Sequence, residues 1–293
     1  ERQDQRSACV TMCGIAGVYH FARSGSVPDG VVAGMTDALM HRGPDDRGLY
    51  RTESGRVELG HTRLSIIDLG GGHQPMAGPR RDTWITFNGE IYNHAELRAE
   101  LDAPFRTSSD TEVILALYER RGLEAMLERL EGMFAIVIAD TRRGAVHLLR
   151  DRVGIKPLYW ARRGSTVLFA SEAMSFLAHP AFSAEIDPSH VDELLAFRYV
   201  AGEASLLEGV LHVQPGHRLT ITPDGVREAR YWSIPDYPEK LRLSREEAVD
   251  RLGHLLNRSV QSQLRSDVNV GCQLSGGVDS SLVTVLAGSR QPG

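Results

Sequence analysis

Cysteine is scarce in this chain: 293 residues contain Cys9, Cys13 and Cys272 and no others. An odd, widely spaced set in a chain of this length excludes an extracellular disulfide framework. No Cys and His residues cluster at the short intervals of a zinc site. Long apolar runs are missing as well. The longest, such as 133–139, fall far short of the ~20 residues needed to cross a bilayer. The stretch 10–19 is thin and glycine-interrupted for a secretion signal. There is no basic tract: 33 Lys and Arg stand against 38 Asp and Glu, a net charge of −5. Nothing electrostatic therefore points to nucleic acid. No repeat or low-complexity segment is visible, and 42 % apolar with 24 % charged residues excludes disorder and collagen. These absences lead to the expectation of a cytoplasmic protein without membrane or nucleic-acid partners, in which the sequon at Asn257 is a chance match.

What is present reads as one large domain or two ordinary ones. From Gly14 to about Arg230, short apolar runs alternate with glycine-centred turns. Residues 133–140 and 145–149 around Thr141 to Gly144 form a hairpin by pattern, as do 158–160 with 167–170 and 217–221 with 226–232. Hairpins in series predict antiparallel sheet. Between them, Val113, Ile114, Leu117 and Tyr118 share one helical face behind a cap at Ser109 or Asp110. Strands in hairpins with covering helices make an α+β layered domain.

The composition changes at 231–243, where Pro235 and Pro238 sit among charges, and this segment reads as a linker. Ser244 and Glu247 then form a capping box. It opens a helix with Ala248, Leu252, Leu255, Leu256, Val260 and Leu264 on one face. A short strand at 268–274, a Ser-Gly-Gly loop and a helix starting at Ser280 are expected next, the opening of a parallel α/β domain. A lone parallel strand has no neighbours to bond, so this second domain is expected to be incomplete within 244–293.

Two motifs carry chemistry. In Leu274-Ser-Gly-Gly-Val-Asp-Ser-Ser281, Gly276 and Gly277 let backbone amides approach a ligand, and the helix start offers free N–H groups to an anion. Ser275, Ser280 and Ser281 add hydroxyls, and Asp279 could hold a Mg²⁺ that bridges phosphates. No Walker lysine is present. A plain βα turn with an N-cap serine accounts for the same spacing. The second motif is Met12-Cys13-Gly14-Ile15-Ala16-Gly17. A cysteine in a strand is ordinarily a small buried hydrophobe. If Met12 is the true start, its removal leaves Cys13 first, with an α-amine of pKa about 7.7–8.0 beside a thiol near ~8.5. That amine can serve as the thiol's own base without a histidine.

The ordered set of motifs resembles the glutamine-hydrolysing asparagine synthetases, a branch of the class II, N-terminal-nucleophile amidotransferases. Besides the two motifs above, it comprises His41-Arg-Gly-Pro-Asp45, Gly60-His-Thr-Arg-Leu-Ser-Ile-Ile-Asp68, Phe87-Asn-Gly-Glu-Ile-Tyr-Asn93 and Ser109-Asp-Thr-Glu112. Asp151-Arg-Val-Gly-Ile-Lys-Pro-Leu-Tyr159 and Phe169-Ala-Ser-Glu172 complete it. The resemblance runs from Met12 to the last residue. It implies a four-layer αββα domain of antiparallel sheets over 13–230, followed by the start of an ATP-pyrophosphatase domain.

The resemblance also implies roles. Cys13 attacks the glutamine amide and forms a thioester. Asn88 and Gly89 make the oxyanion hole, although Asn-Gly between apolar runs is also a hairpin turn. Arg63 grips the α-carboxylate with its guanidinium fork, within a glutamine-binding segment that includes Leu64, Ser65, Ile66 and Ile67. Glu90 and Asp110 receive the α-ammonium; by pattern alone Asp110 is a helix cap. The stretch from His41 to Asp45 is a shaping turn. Leu274, Ser275, Gly276, Gly277, Asp279, Ser280 and Ser281 bind the ATP pyrophosphate, with Mg²⁺ at Asp279 and no cofactor for the glutaminase. Ammonia, shielded from protonation in water, reaches an ATP-activated aspartate (β-aspartyl-AMP) and gives asparagine. The resemblance further implies a homodimer.

Residues 1–12 are expected to be absent from the active form, since an acylated α-amine is no base. The chain is also expected to continue beyond Gly293. Other readings are an amidotransferase for another carboxylate, such as a peptide or envelope sugar acid, a β-lactam-forming synthetase, or a glutaminase-silent binding module. The set of Cys13, Arg63, Asn88, Gly89 and Asp110 speaks against the β-lactam reading.

Overall fold

A computed structural model describes residues 12–22, 25–236 and 240–289. In chain order, the first half holds β1 (Gly14–His20), α1 (Val31–Asp37), β2 (Asp46–Arg51), β3 (Val57–Arg63), β4 (Met76–Ala77) and β5 (Thr83–Ile91). Three helices follow: α2 (His94–Glu100), α3 (Asp110–Arg121) and α4 (Leu123–Arg129). Then come β6 (Gly132–Asp140), β7 (Ala145–Arg150), β8 (Tyr159–Arg163), β9 (Thr166–Ala170) and α5 (Val191–Phe197). The last elements are β10 (Val210–His212), β11 (His217–Thr222), β12 (Gly225–Arg230), α6 (Arg245–Gln263) and α7 (Val278–Gly288).

The strands form two six-stranded antiparallel sheets, ordered β10-β8-β9-β1-β3-β2 and β12-β11-β7-β6-β5-β4. Three apolar clusters define the layering. Ala16 and Val18 of β1 pack under α1 with Val32 and Met35. Ile15 and Tyr19, the alternate residues of the same strand, meet Ala135, Val137 and Ala139 of β6 between the sheets. Phe134, Ile136 and Ile138, on the other face of β6, lie against Ile114, Leu117 and Tyr118 of α3. Side chains alternate along a strand, so a strand covered on both faces must be apolar throughout. That explains the unbroken run 133–139. The architecture is α/β/β/α, the four layers implied by the resemblance.

The three expected hairpins are present as β6–β7, β8–β9 and β11–β12. Ser109 is the cap of α3: its hydroxyl accepts the Thr111 N–H at 3.2 Å. Tyr231 and Trp232 donate their N–H groups to the Gly216 carbonyl, so the expected linker begins after them. Pro238 lies outside the described residues.

The capping box of α6 forms as expected, with Ser244 and Glu247 bonding reciprocally. Its apolar stripe finds little to cover it, and Leu252 and Leu255 remain 56 % and 55 % exposed. The expected strand at 268–274 does not form. A strand needs a bonded neighbour, and among the described residues none is available there. α7 begins at Val278, two residues before the expected Ser280.

Candidate active site

Four elements end at one cavity of about 230 Å³. Cys13 stands just before β1, Arg63 ends β3, Asn88, Gly89 and Glu90 lie in β5, and Asp110 starts α3. Together with Leu64, Ile66 and Ile67 they line the cavity. Of the expected glutamine-site residues only Ser65 is outside the lining, where its N–H donates to Asp45 Oδ2 at 2.8 Å.

Asn88 and Gly89 are not a hairpin turn. They sit inside β5, opposite Ala135 and Phe134 of β6. The turn reading fails because the apolar runs on both sides belong to one nine-residue strand. Glycine is required at 89 by crowding, since a Cβ there would run into the Met133 carbonyl. Phe134, across the ladder, turns its N–H and C=O to Asp151. The Gly89–Phe134 pair therefore exchanges no ladder bonds, and the Gly89 N–H points outward from the sheet. The N–H groups two residues away on either side share this direction. Gln74 Oε1 accepts the one from Phe87 at 2.6 Å, and Asp110 Oδ2 accepts the one from Ile91 at 3.0 Å. Beside Gly89, the buried Asn88 Nδ2 has no hydrogen-bond partner among the described residues.

Charge is distributed unevenly around the cavity. The Arg63 guanidinium gives Nη2 to the carbonyls of Ile67 (3.0 Å) and Asp68 (2.6 Å) and Nη1 to that of Leu69 (3.4 Å). Among the described residues, two of its five N–H groups, on Nε and Nη1, have no partner. Burial pushes the Asp110 carboxyl up, against the pull of the Ile91 N–H. Burial, with the Asp110 charge, pushes Glu90 up to about 7, with Lys156 opposing. Burial also raises the Cys13 thiol, offset by the Leu64 N–H at 3.4 Å and the charges of Arg63 and Lys156. No histidine lines the cavity. His61 is enclosed deeper between the sheets, bonded through Nδ1 to Thr86, and burial lowers its pKa to about 3, so it is neutral.

Glu90 gives a stability prediction. With a folded pKa of about 7 against 4.5 unfolded, folding takes up a proton between these values, and stability falls as pH rises through them. The penalty is complete above about pH 7. Glu90→Gln removes it and is expected to stabilise at pH 8 by about 1–2 kcal/mol, allowing for solvent screening of a half-buried group. At pH 5 little change is expected. Thermal melts at both pH values test this; an equal shift at both would contradict it.

Several residues at the site have no role that the sequence motifs assign. Gln74 lines the cavity, and a lone glutamine before a proline in a Gly-rich loop is a weak signal for it. Lys156 lines the cavity from within the 151–159 motif. Arg42, in the expected shaping turn, does shape the site: its Nε donates to the Cys13 carbonyl at 3.1 Å and its Nη1 to Glu172 at 2.7 Å.

The Ser-Gly-Gly loop is not brought to this cavity. Gly276 adopts φ 85°, and no side chain caps the first turn of α7. Open N–H groups at a glycine-led helix start suit an anion. The Ser280 and Ser281 hydroxyls donate to the Gly277 carbonyl, and Ser275 bonds Ser280. A helix start offers the hydroxyls this nearby carbonyl. Leu274 is exposed. Among the described residues no group of three or more His, Cys, Asp or Glu could hold a metal ion, so Asp279 has no such companions. Cys13 and Cys272 are free thiols, whereas Cys9 and the expected extension before Met12 lie outside the described residues. Among the described residues no helix is long and apolar enough to cross a membrane.

Comparison with known proteins bears on the family and the fold. The model of the glutamine amidotransferase domain matches residues 12–232, and that of asparagine synthase matches residues 251–293. Asparagine synthetase (glutamine-hydrolyzing) 3 of Bacillus subtilis (strain 168) is 37 % identical over 282 residues, covering 94 % of this chain and 45 % of its own length. Asparagine synthetase (glutamine-hydrolyzing) 1 of the same organism is 37 % identical over 287 residues, covering 96 % and 44 %. The chain thus spans about half the length of these curated relatives. The fold is shared with glutamine phosphoribosylpyrophosphate amidotransferase from B. subtilis, solved with ADP and GMP. That match has a TM-score of 0.58 at 18 % identity and covers 94 % of this chain and 64 % of the other. With two antiparallel sheets of the shared fold and a domain match over residues 12–232, this chain belongs to the glutamine amidotransferase family.

Proposed function

We propose that the cavity hydrolyses glutamine and that the ammonia serves an ATP-dependent asparagine synthesis in the complete protein. The observation that carries the first half is the buried, unpartnered Asn88 amide beside the outward Gly89 N–H, in a cavity shared with the Cys13 thiol. Leaving a buried donor unpaired costs about 1–3 kcal/mol. Such a donor pair fits an oxygen that becomes negative only during reaction.

In this reading the Cys13 α-amine takes the thiol proton, Sγ bonds to the glutamine amide carbon, and Asn88 and Gly89 hold the oxyanion. The C–N bond then breaks as the α-amine gives its proton to the departing ammonia. Water cleaves the thioester to glutamate. Arg63 holds the substrate carboxylate through its uncommitted N–H groups, with Leu64, Ile66 and Ile67 as cavity wall and Ser65 as support. Glu90 and Asp110 face the substrate ammonium, which would favour their ionised forms.

The second half rests on the asparagine synthase match and the relatives' names. Leu274 to Ser281 would hold the ATP pyrophosphate on the open N–H groups of α7, with Mg²⁺ at Asp279. ATP would supply activation of the aspartate carboxylate. The glutaminase itself needs no cofactor in this reading. We assign 13–230 to the glutaminase, 231–243 to the linker, less the packed Tyr231 and Trp232, and 244–293 to the start of the synthetase. A homodimer in the cytoplasm completes the proposal.

Glutamate release from glutamine, measured on protein beginning at Cys13, tests the reading. Arg63→Lys is expected to raise KM for glutamine about tenfold or more, because a point charge replaces a bidentate fork, with kcat changed far less. An unchanged KM would remove Arg63 from the substrate.

A further inference from the structure

Lys156 is a buried cation whose position in the glutaminase cavity calls for a reason. The residue is 7 % exposed and lines the cavity. Its backbone is fixed from both ends: the N–H donates to Asp151 Oδ2 at 3.0 Å, and the carbonyl accepts from Arg150 Nε at 2.9 Å. The enclosed Asp151 carboxylate also accepts the N–H groups of Phe134, Val153 and Ile155. This scaffold places Nζ 3.0 Å from Met12 Sδ, next to the residue that precedes Cys13. Among the described residues no carboxylate lies within ion-pair distance of Nζ.

Of the other two cations near Cys13, Arg42 is paired with Glu172, while Arg63 is bonded to the 67–69 carbonyls and turns its remaining N–H groups to the substrate in the proposed reading. The charged groups acting on Cys13 are Arg63, Lys156 and Asp110; those acting on Lys156 are Glu90, Cys13, Arg42 and Asp151. Burial pulls the Lys156 ammonium below the ordinary lysine range, with Glu90 and Cys13 opposing.

We propose that Lys156 tunes the nucleophile: its ammonium, in the cavity that holds Cys13 and without a carboxylate partner among the described residues, favours the thiolate of Cys13 and the unprotonated form of its α-amine. A neighbouring positive charge disfavours protonation of an amine and favours ionisation of a thiol. Both effects extend the active protonation state toward lower pH. Lys156 acts through Cys13 rather than by binding glutamine, so this inference rests on the reading of Cys13 as nucleophile.

The test uses the complete protein with Cys13 as its first residue, in parent, Lys156→Met and Lys156→Arg forms. Methionine matches the length of lysine and buries without a charge, so the fold is kept. In Lys156→Met the acid limb of kcat/KM, which reports the free enzyme's base, is expected to move up by about one pH unit. Activity is then roughly tenfold lower near pH 6, and the gap closes toward pH 9. Lys156→Arg restores the parent profile. The pH midpoint for alkylation of Cys13 by iodoacetamide moves in the same direction. A loss equal at every pH, or a rise in KM alone, would overturn the proposal in favour of a structural or substrate-binding lysine. If no form releases glutamate but the alkylation midpoint still shifts, the glutaminase reading fails and the coupling of Lys156 to Cys13 stands. An unshifted midpoint overturns that coupling.

Discussion

Replacing Cys13 with alanine is expected to abolish glutamate release from glutamine, by at least about a thousandfold. Oxyanion donors and substrate contacts alone leave only a residual rate once the nucleophile is gone. A second variant separates the thiol from its base. Protein that retains Met12 before Cys13 keeps the thiol but converts the α-amine to an amide, which cannot accept a proton at neutral pH. The same near-complete loss is expected there. Among the described residues no histidine lines the cavity to take its place, and His61 is enclosed and bonded to Thr86. Intact mass identifies which residue comes first in each preparation. Ammonia supplied from solution bypasses this site, so ammonia-dependent product formation by the complete protein should survive both changes. Glutaminase activity in Cys13→Ala would remove Cys13 as nucleophile. Activity in the form retaining Met12 would remove the α-amine as base.

Asn88→Ala is expected to lower kcat by about 10²–10³ with KM for glutamine nearly unchanged, the signature of a donor used only in the transition state. Stability distinguishes this from a packing defect. A paired buried amide would leave its partner unsatisfied on removal. Asn88 Nδ2 has no partner to lose among the described residues, so Asn88→Ala should melt within about 1 kcal/mol of the parent. Asn88→Asp, isosteric but with an acceptor in place of the donor, should be at least as inactive. A KM effect larger than the kcat effect would place Asn88 in ground-state binding.

The fold was legible where one local rule governed. The run at 133–139 and the β6–β7 hairpin followed from periodicity and turn chemistry. The face of α3 followed from Val113, Ile114, Leu117 and Tyr118, all buried. Local rules failed where a distant strand decided. Asn88 and Gly89 have hairpin composition, yet β6 pairs with them on one side and Gln74 takes the adjacent Phe87 N–H on the other. At 268–274 the local preference is for a strand, yet none forms, because no neighbour is available to bond among the described residues. Lys156 and Gln74 were invisible as site residues because they reach the cavity from loops whose course is set by Asp151 and by pairing at β4.

Sequence by itself determined the order of the motifs, the residue types the chemistry requires and the alternation that makes two covered sheets. Those properties depend on neighbours in the chain and on side-chain chemistry. Only the tertiary structure decided which donors are left open. Among the described residues the Asn88 Nδ2 is unpartnered, the Gly89 N–H turns outward and Lys156 lacks a carboxylate because of what packs beside each from elsewhere in the chain. Hydrogen-bond satisfaction is a property of the whole fold, and here it marks the groups proposed to act.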